Sequence, residues 1–367
     1  MQDEVGKQDD VGERQEVSRK RRAELAIDAL NTWYDPHDGL WQHKGAPWWY
    51  SAVCLRLLVD YMLMTGDHKY LAQAKYTIDH NRKPIGWWRQ GGGDFRADST
   101  DDTAWWALAM LSMFQLTGDP KYIEIAIRDE AYMHKYWGGE GTSCGAGLIW
   151  DIRRNKYVNA ISNTLYFELT ITLHNHIPGD TMYLQRALET WIFLQKSGMM
   201  NEQGLFNDGM VEDPSRCESN GRQVWTYNQG PILNALLGLS RALNNKHILD
   251  TAHKIAHAVI NSTELSPFRI LNEPGCATVE HCFPNGEMFK GIFMRNLGFL
   301  NVALEGQPYS NYIEHNARTA IHRAREVKDG SFTEFYGFKW QGPFDKAGVG
   351  QQAAVANLLV VDLVMDD

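Results

Sequence analysis

Two adjacent carboxylates are the sharpest chemical feature of this sequence. Asp101 and Asp102 follow a glycine-rich segment and open a strongly helical stretch. Glycosidic bond cleavage needs two carboxyl groups, one ionised and one protonated, and neighbouring residues can provide the separation of about 5 Å that a retaining mechanism uses. One ionised carboxylate also discourages ionisation of the other, which splits their pKa values. The structural alternative is that acidic residues in a first helical turn stabilise the helix dipole by about 0.3–1 kcal/mol.

Further candidates are residues whose side chains suit a sugar ligand. The predicted binding residues are Trp105, Asn163, Asp208, Tyr227, Asn228, Gln229 and Lys290. Trp105 and Trp106 differ by about 100° around a helix, so only one of them faces a ligand. The polar groups of Tyr227, Asn228 and Gln229 have no local helix role, which favours ligand contact.

Three of these candidates have an equally ordinary structural interpretation. Asn163 either hydrogen-bonds sugar hydroxyls or caps the helix that follows it. Asp208 precedes Gly209, and Asn-Asp-Gly is also a turn sequence. Lys290 either neutralises an acidic neighbour or a substrate phosphate, or is a surface lysine.

The sequence predicts neither a metal site nor a cofactor. The histidine pairs His174 with His176 and His253 with His257 have no carboxylate or cysteine at metal-binding spacing. Five cysteines form no zinc motif, and Cys276 with Cys282 is the predicted disulfide because the two are close in sequence. A metal site that includes His281 is the competing interpretation of this segment.

Composition excludes two classes of partner. A formal net charge of −9 argues against nucleic-acid binding, which relies on clustered lysine and arginine. No stretch approaches 18 uninterrupted apolar residues, so no membrane span is predicted. Aromatic residues make up 11% of the chain, more than a core alone requires, and their flat faces suit sugar rings.

A repeated phrase indicates how these residues are positioned. It reads Thr-Gly-Asp at 65–67 and 117–119 and Pro-Gly-Asp at 178–180, each time followed by an aromatic residue and an alanine. Apolar residues recur at helical spacing on both sides of each copy. Glycine can end one helix in a left-handed cap and aspartate can cap the next, so each phrase predicts a helix-turn-helix joint.

Two degenerate copies of the phrase bring the predicted joints to five. With the terminal helices they make six helical hairpins, and hairpins on this scale close into a double ring. The predicted fold class is therefore all-α, an (α/α)6 toroid, with an open α-solenoid as the alternative. Residues 18–367 are predicted to form one catalytic domain behind a disordered leader, residues 1–17, and glycine-rich aromatic segments between hairpins to line one mouth.

The segment from Asp101 to Trp106 resembles the paired-aspartate motif of glycoside hydrolase family 76, the endo-α-1,6-mannanases and their fungal cell-wall relatives. Further blocks resemble the family in the same order: residues 147–150, 159–163, 206–209, 226–230 and 289–295. The resemblance covers most of residues 25–365. It implies a six-hairpin toroid and a retaining hydrolase that cleaves α-1,6-linked mannan, with Asp101 as nucleophile and Asp102 as general acid and base. The residues alone would allow these two roles to be exchanged.

Kinship and the possible disulfide also imply an extracellular or cell-wall location and a monomer whose partner is α-mannan or another mannose-containing glycan. The single sequon at Asn261 agrees with that location. The alternatives are a transglycosylase acting on mannose-containing anchor or cell-wall glycans, and a glycan-binding protein without catalysis. A third is a toroidal isomerase or lyase that uses His134, His174 or His176 for proton transfer.

Overall fold

The computed structural model describes residues 17–42, 46–84, 93–138, 145–153, 156–213, 215–276, 284–327 and 333–365. The expected leader, residues 1–17, lies outside the described residues except for Val17. Twelve α-helices account for most of the described chain. They are α1 (Arg19–Asn31), α2 (Trp49–Thr65), α3 (Leu71–Asn81), α4 (Thr100–Thr117), α5 (Pro120–His134), α6 (Ala160–His176), α7 (Met182–Lys196), α8 (Pro231–Ala242), α9 (Leu249–Asn261), α10 (Phe289–Ala303), α11 (Ser310–Arg323) and α12 (Val349–Val361).

The strands among the described residues form two small antiparallel hairpins. Strand β1 (Tyr34–Asp35) pairs with β2 (Leu40–Trp41), and β3 (Arg325–Val327) pairs with β4 (Glu334–Tyr336). Neither hairpin joins the other into a larger sheet. The architecture is therefore set by helix packing alone.

The even-numbered helices form a closed inner ring. Each contacts the next, from α2 through α4, α6, α8 and α10 to α12, and α12 contacts α2. The helices α3, α5, α7 and α9 pack outside the inner helix that precedes each of them, α11 packs on α10 and α12, and α1 packs on α12. This arrangement is the predicted (α/α)6 toroid of six helical hairpins.

Burial follows from position in the ring. Helix α2 is buried without a break from Trp49 to Met62, and all of α12 is buried, because inner helices have neighbours on every side. Outer helices bury one face only, as in α5, where Tyr122, Ile125 and Ala126 turn inward. The ring thus buries its polar inner positions as well as its apolar ones.

The predicted joints have the predicted chemistry. Gly66 and Gly118 end α2 and α4 in the left-handed conformation, each with φ of +69°. Asp119 then caps α5, accepting a hydrogen bond of 3.0 Å from the backbone N–H of Lys121. At the third joint Gly179 also has a positive φ, and Asp180 accepts from the first backbone N–H groups of α7.

Alternation of inner and outer helices fixes which residues meet. Because each outer helix returns antiparallel to its partner, the inner helices all run in one direction. Their N-terminal ends lie at one mouth of the toroid, and their C-terminal ends at the other. The short joints lie at the C-terminal mouth, and the longer segments that lead into α4, α6, α8 and α10 lie at the N-terminal mouth.

Close packing of α10 on α12 gives a test of the ring. A Cβ placed on Gly291 would lie 2.4 Å from the Cα of Ala354, so Gly291→Ala forces the two helices apart. We expect it to lower the free energy of unfolding by about 3 kcal/mol, the upper range for overpacking. The control is Gly118→Ala, where a Cβ meets no atom within 4 Å and only the positive φ costs about 1 kcal/mol. The free energies of unfolding are measured by urea denaturation. An equal loss in both variants would contradict the close contact between α10 and α12.

The remaining global predictions concern disulfides and membranes. Cys217 and Cys276 are both disulfide-bonded, whereas Cys54 is a buried free thiol. The predicted partner of Cys276, Cys282, lies outside the described residues, as does His281. Among the helices of the described segments, none is long and apolar enough to cross a membrane.

Candidate active site

A cavity of about 380 Å³ opens at the N-terminal mouth. Helices of the inner ring supply it: Trp49 begins α2, Asp101 lies in the first turn of α4, Asn159 caps α6 and Phe289 begins α10. The lining residues are Trp49, Asp101, Trp105, Trp150, Tyr157, Asn159, Asp208, Arg222, Trp225, Tyr227, Asn285 and Phe289. The carboxylate is therefore surrounded by aromatic rings.

A loop bound to the start of α4 orients Asp101. The backbone N–H of Thr100 donates to the carbonyl of Trp150 at 2.8 Å, and that of Ile152 donates to the carbonyl of Asp98 at 3.0 Å. These bonds bring the indole of Trp150 to the carboxylate, where Nε1 donates to Oδ2 of Asp101 at 3.2 Å. Asp98 is itself fully buried and pairs with Arg153, also on this loop, at 2.9 Å.

Asp101 has an unusual protonation equilibrium. Burial raises the pKa of its carboxyl to about 7, and the charge of Asp151 adds to this rise. Hydrogen bonds from Trp150 and from the backbone N–H of Asp102, the latter at 3.1 Å to Oδ1, favour the ionised form and limit the rise. Near neutral pH this carboxyl can therefore lose its proton.

Asp102 differs from Asp101 although the two are adjacent. Burial, and then the charge of Asp101, raise the pKa of Asp102 well above its ordinary range. Both residues are partly exposed, but only Asp101 lines the cavity, and within the described residues no hydrogen bond reaches the carboxyl of Asp102. The pair is therefore asymmetric: Asp101 ionises first, and its charge keeps Asp102 protonated.

The two tryptophans of α4 lie in different surroundings, as expected from their spacing. Trp105 lines the cavity and stacks on Trp49 at 5.5 Å and 20° between ring planes. Trp106 is fully buried and stacks on Phe95 at 4.3 Å. Such flat apolar surfaces suit the carbon faces of sugar rings.

Two further predicted residues, Asp208 and Tyr227, also line the cavity. Tyr227 stacks on Phe289 with ring centroids 3.6 Å apart and planes within 9°. Asp208 accepts a hydrogen bond from the hydroxyl of Tyr157, which in turn accepts one of 2.9 Å from Asn220. The cavity thus combines stacking surfaces with fixed polar groups.

Asn163 and Gln229 lie outside the cavity because their amides bind backbone. Asn163 is fully buried, accepts from the backbone N–H of Leu148 at 2.8 Å and donates to two carbonyls, one of them that of Leu148 at 3.0 Å. Gln229 accepts from the N–H of Phe206 at 2.9 Å and donates to its carbonyl at 2.9 Å. Both side chains fix the loops that carry lining residues.

Asn228 and Lys290 also lie outside the cavity. Asn228 is fully buried, and within the described residues neither polar atom of its side chain has a hydrogen-bond partner. Lys290 is buried as well, so the surface-lysine interpretation is wrong. Its Nζ donates to the carbonyl of Phe338 and lies 4.4 Å from the ring centre of Trp340, and burial lowers its pKa to about 7.

Eight of the lining residues are not among the predicted site residues. They are Trp49, Trp150, Tyr157, Asn159, Arg222, Trp225, Asn285 and Phe289. One signal was available for three of them: Trp49, Asn159 and Phe289 stand at the N-terminal ends of inner helices, as Asp101 does. Identifying inner helices in the sequence would have placed these three at the same mouth.

The histidines proposed for proton transfer are engaged elsewhere. His134 pairs with the hydroxyl of Tyr166 at 2.8 Å, His174 with Asp180 at 2.9 Å, and none of the three lines the cavity. Across the described segments, no cluster of three or more histidine, cysteine, aspartate or glutamate side chains is suited to a metal ion. The carboxyl groups of Asp101 and Asp208 line this cavity, and no histidine is among its lining residues.

Comparison with known proteins agrees with this geometry. The α-1,6-mannanase GH76A from Salegentibacter sp. HEL1_6 is similar at a TM-score of 0.81 and 21% identity, with 95% of this chain and 100% of that chain covered. An inactive variant of that mannanase, with two consecutive aspartates changed to alanine, is similar to the same extent and was solved in complex with α-1,6-mannotetrose. Dfg5 from Chaetomium thermophilum, solved with glucosamine, has a TM-score of 0.80 and 17% identity, with 94% and 90% covered.

At these identities the likeness shows the fold. The comparison with curated proteins yields no match. The family model of glycosyl hydrolase family 76 matches residues 18–367, nearly the whole chain. The chain with two adjacent carboxyl groups at the mouth of a helical toroid belongs to glycosyl hydrolase family 76.

Proposed function

We propose that this protein is a retaining, endo-acting glycoside hydrolase that cleaves α-1,6-mannosidic linkages in mannan. The observation that carries the proposal is the position of Asp101 in an aromatic-walled cavity, with Asp102 beside it in the first turn of α4. Family membership supports glycosidase activity. The substrate and the endo mode rest on the structural likeness to a mannanase whose inactive variant holds a mannotetrose.

The two carboxyl groups divide the reaction into two displacements. Ionised Asp101 attacks the anomeric carbon and forms a glycosyl ester, while protonated Asp102 gives its proton to the departing glycosidic oxygen. Asp102, now ionised, takes a proton from water, and that water displaces Asp101 from the sugar. Two inversions at one carbon return the original α configuration, and both carboxyl groups end in their starting states.

The hydrogen-bond pattern supports this division of roles. Trp150 and a backbone N–H stabilise the ionised form of Asp101, which a nucleophile requires. Asp102 lacks such donors among the described residues and has the higher pKa, which a general acid requires. Trp49, Trp105 and Tyr227 line the cavity and would contact the mannose units on either side of the broken bond.

The direct test is digestion of unbranched α-1,6-mannan, with proton NMR of the products as they form. We expect mannose oligomers whose new reducing ends appear first as α anomers. An α-1,2-linked mannan serves as the control for linkage. A β anomer formed first would overturn the retaining mechanism, and an inert enzyme on both polymers would overturn the substrate assignment.

We further propose that the enzyme acts outside the cell or in the cell wall, as a monomer. The two disulfide-bonded cysteines, Cys217 and Cys276, support an oxidising compartment. Light scattering after size-exclusion chromatography should give a mass near 41.9 kDa. A doubled mass would contradict the monomer without affecting the activity assignment.

The charge of Asp151 provides a prediction for pH dependence. Burial is the main cause of the raised pKa of Asp101, and Asp151 raises it further, so Asp151→Asn should lower that pKa. Because the nucleophile must be ionised, the acidic limb of the kcat/KM profile should move to lower pH. Glu218→Gln, an exposed charge removal, is the matched control and should leave the limb in place. A limb that moves to higher pH in Asp151→Asn would contradict the assignment of Asp101 as the ionised group.

A further inference from the structure

A second cavity, of about 500 Å³, opens at the opposite end of the toroid. Its walls come from the inner helices α2, α4, α6, α8 and α10, and His176, the last residue of α6, stands at its rim. It shares no lining residue with the cavity that contains Asp101. Its volume lies within the range of about 300–1,000 Å³ typical of small-molecule sites.

Two ion pairs form the inner end of this cavity. Arg56 donates to Glu168 at 2.7 Å, and Arg295 donates to the two oxygens of Asp60 at 2.5 and 3.0 Å. All four residues are at least 91% buried. Burial lowers the pKa of the Arg56 guanidinium, and the charge of the nearby Arg295 lowers it further. Such a costly arrangement of buried charges needs good compensation.

That compensation is incomplete. Nη1 of Arg295, Oε2 of Glu168 and Oδ1 of Asn234 are buried without a hydrogen-bond partner in the described part of the chain. A buried polar group without a partner destabilises the fold, and a charged one does so more strongly. One of these atoms is a donor and two are acceptors, and all three belong to residues that line the same cavity.

The mixture of unpaired groups decides the class of ligand. An anion would pair with Arg295 but leave Glu168 and Asn234 unpaired and face two carboxylates. A cation would face the guanidinium groups of Arg56 and Arg295. A neutral hydroxyl both donates and accepts, so adjacent hydroxyls can satisfy all three atoms at once.

The apolar part of the wall supports the same class. Leu111 and Leu237 line the cavity beside Phe299, which also packs against the guanidinium of Arg295 at 4.5 Å. A sugar or polyol presents carbon-bound hydrogens between its hydroxyls and so matches a wall of this kind. We propose that this second cavity binds a neutral polyhydroxylated molecule of about monosaccharide size, at a site separate from the carboxyl pair.

The test uses NMR of the full chain with labelled leucine methyl groups. The probes are methyl α-D-mannoside, myo-inositol and glycerol, each titrated to tens of millimolar. We expect at least one probe to give saturable shifts at the methyls of Leu111 and Leu237. The site at Asp101 is distant from these methyls, so binding there does not produce the signal.

A blocking variant and a matched control make the outcome specific. Gln115 is exposed and lines the cavity, so Gln115→Trp should raise the dissociation constant at least about tenfold without entering the core. Gln185→Trp, an exposed change on α7 away from the cavity, should leave binding unchanged. Mannan hydrolysis should be equal in both variants, so failure of the mannanase assignment does not affect this test. Absence of leucine shifts with all three probes, or saturable shifts with inorganic phosphate alone, would overturn the proposal.

Discussion

Asp101→Asn is expected to lower kcat/KM on α-1,6-mannan by at least about 10⁴-fold, the scale of loss when a covalent nucleophile is removed. An asparagine amide does not attack the anomeric carbon, yet it has nearly the same shape as the carboxylate. Its oxygen can still accept one hydrogen bond from Trp150 or from the backbone of Asp102. The loss should therefore arise from chemistry rather than from a change of fold, which circular dichroism checks.

Stability gives this variant a second, independent readout. Burial raises the pKa of Asp101 from 3.8 to about 7, so the folded state binds this proton more tightly than the unfolded state does. The stability contributed by the protonated group is complete below about pH 4 and is lost as the pH rises through about 7. Asp101→Asn removes that loss, so its stability relative to the parent should increase between about pH 4 and about pH 7.

Together the two readouts test whether the ionised carboxylate of Asp101 destabilises the fold although activity requires it. A variant that is inactive and relatively more stable at high pH agrees with the proposal. An inactive variant whose relative stability falls with pH would mean that ionised Asp101 helps to hold the fold, as in the helix-dipole interpretation. Asp119→Asn is the matched control, because Asp119 caps α5 away from the cavity and should leave activity unchanged.

Periodicity in the sequence predicted the fold because the joints recur. Gly66, Gly118 and Gly179 require left-handed backbone, and aspartates follow them, so local chemistry alone marks each turn. Ring closure is a long-range property. The contact between α12 and α2 joins chain segments almost 300 residues apart, and no local pattern encodes it.

Lining residues of the cavity were predictable where they share one face of one helix. Asp101 and Trp105 lie one turn apart on α4, so one correct helix assignment placed both. Lys290 lies outside the cavity because its neighbour Phe289 turns to the cavity and Lys290 turns to Phe338. A boundary shift of one residue rotates a helix position by about 100°, and sequence reasoning rarely fixes a boundary that closely.

Residues joined only by tertiary structure remained beyond the sequence. Nε1 of Trp49 donates to Oδ1 of Asn285 at 3.1 Å across 236 positions, and both line the cavity. The difference between Asp101 and Asp102 is of the same kind, because it depends on the indole of Trp150. Asp101 and Asp102 are the same residue type, and only the folded structure makes their pKa values differ.

Asp102→Asn tests that difference directly through the leaving group. On mannan the variant should lose about 10²- to 10⁴-fold in kcat/KM, because the departing oxygen receives no proton. On a dinitrophenyl α-mannobioside, whose leaving group needs no proton, formation of the glycosyl ester on Asp101 should proceed at nearly the parent rate. The ester should then accumulate, since no base activates water, and should be detectable as an added mass by intact-protein mass spectrometry.

Azide completes the assignment because it is a nucleophile that needs no base. With Asp102→Asn it should attack the ester on Asp101 and raise turnover of the dinitrophenyl substrate, giving the α-mannosyl azide after two inversions. With Asp101→Asn no ester forms, so any azide product must come from a single inversion and carry the β configuration. Proton NMR of the azides therefore separates the two roles. An α azide from Asp101→Asn and a β azide from Asp102→Asn would show that Asp102 is the nucleophile, and the hydrogen bond from Trp150 would then serve the acid instead.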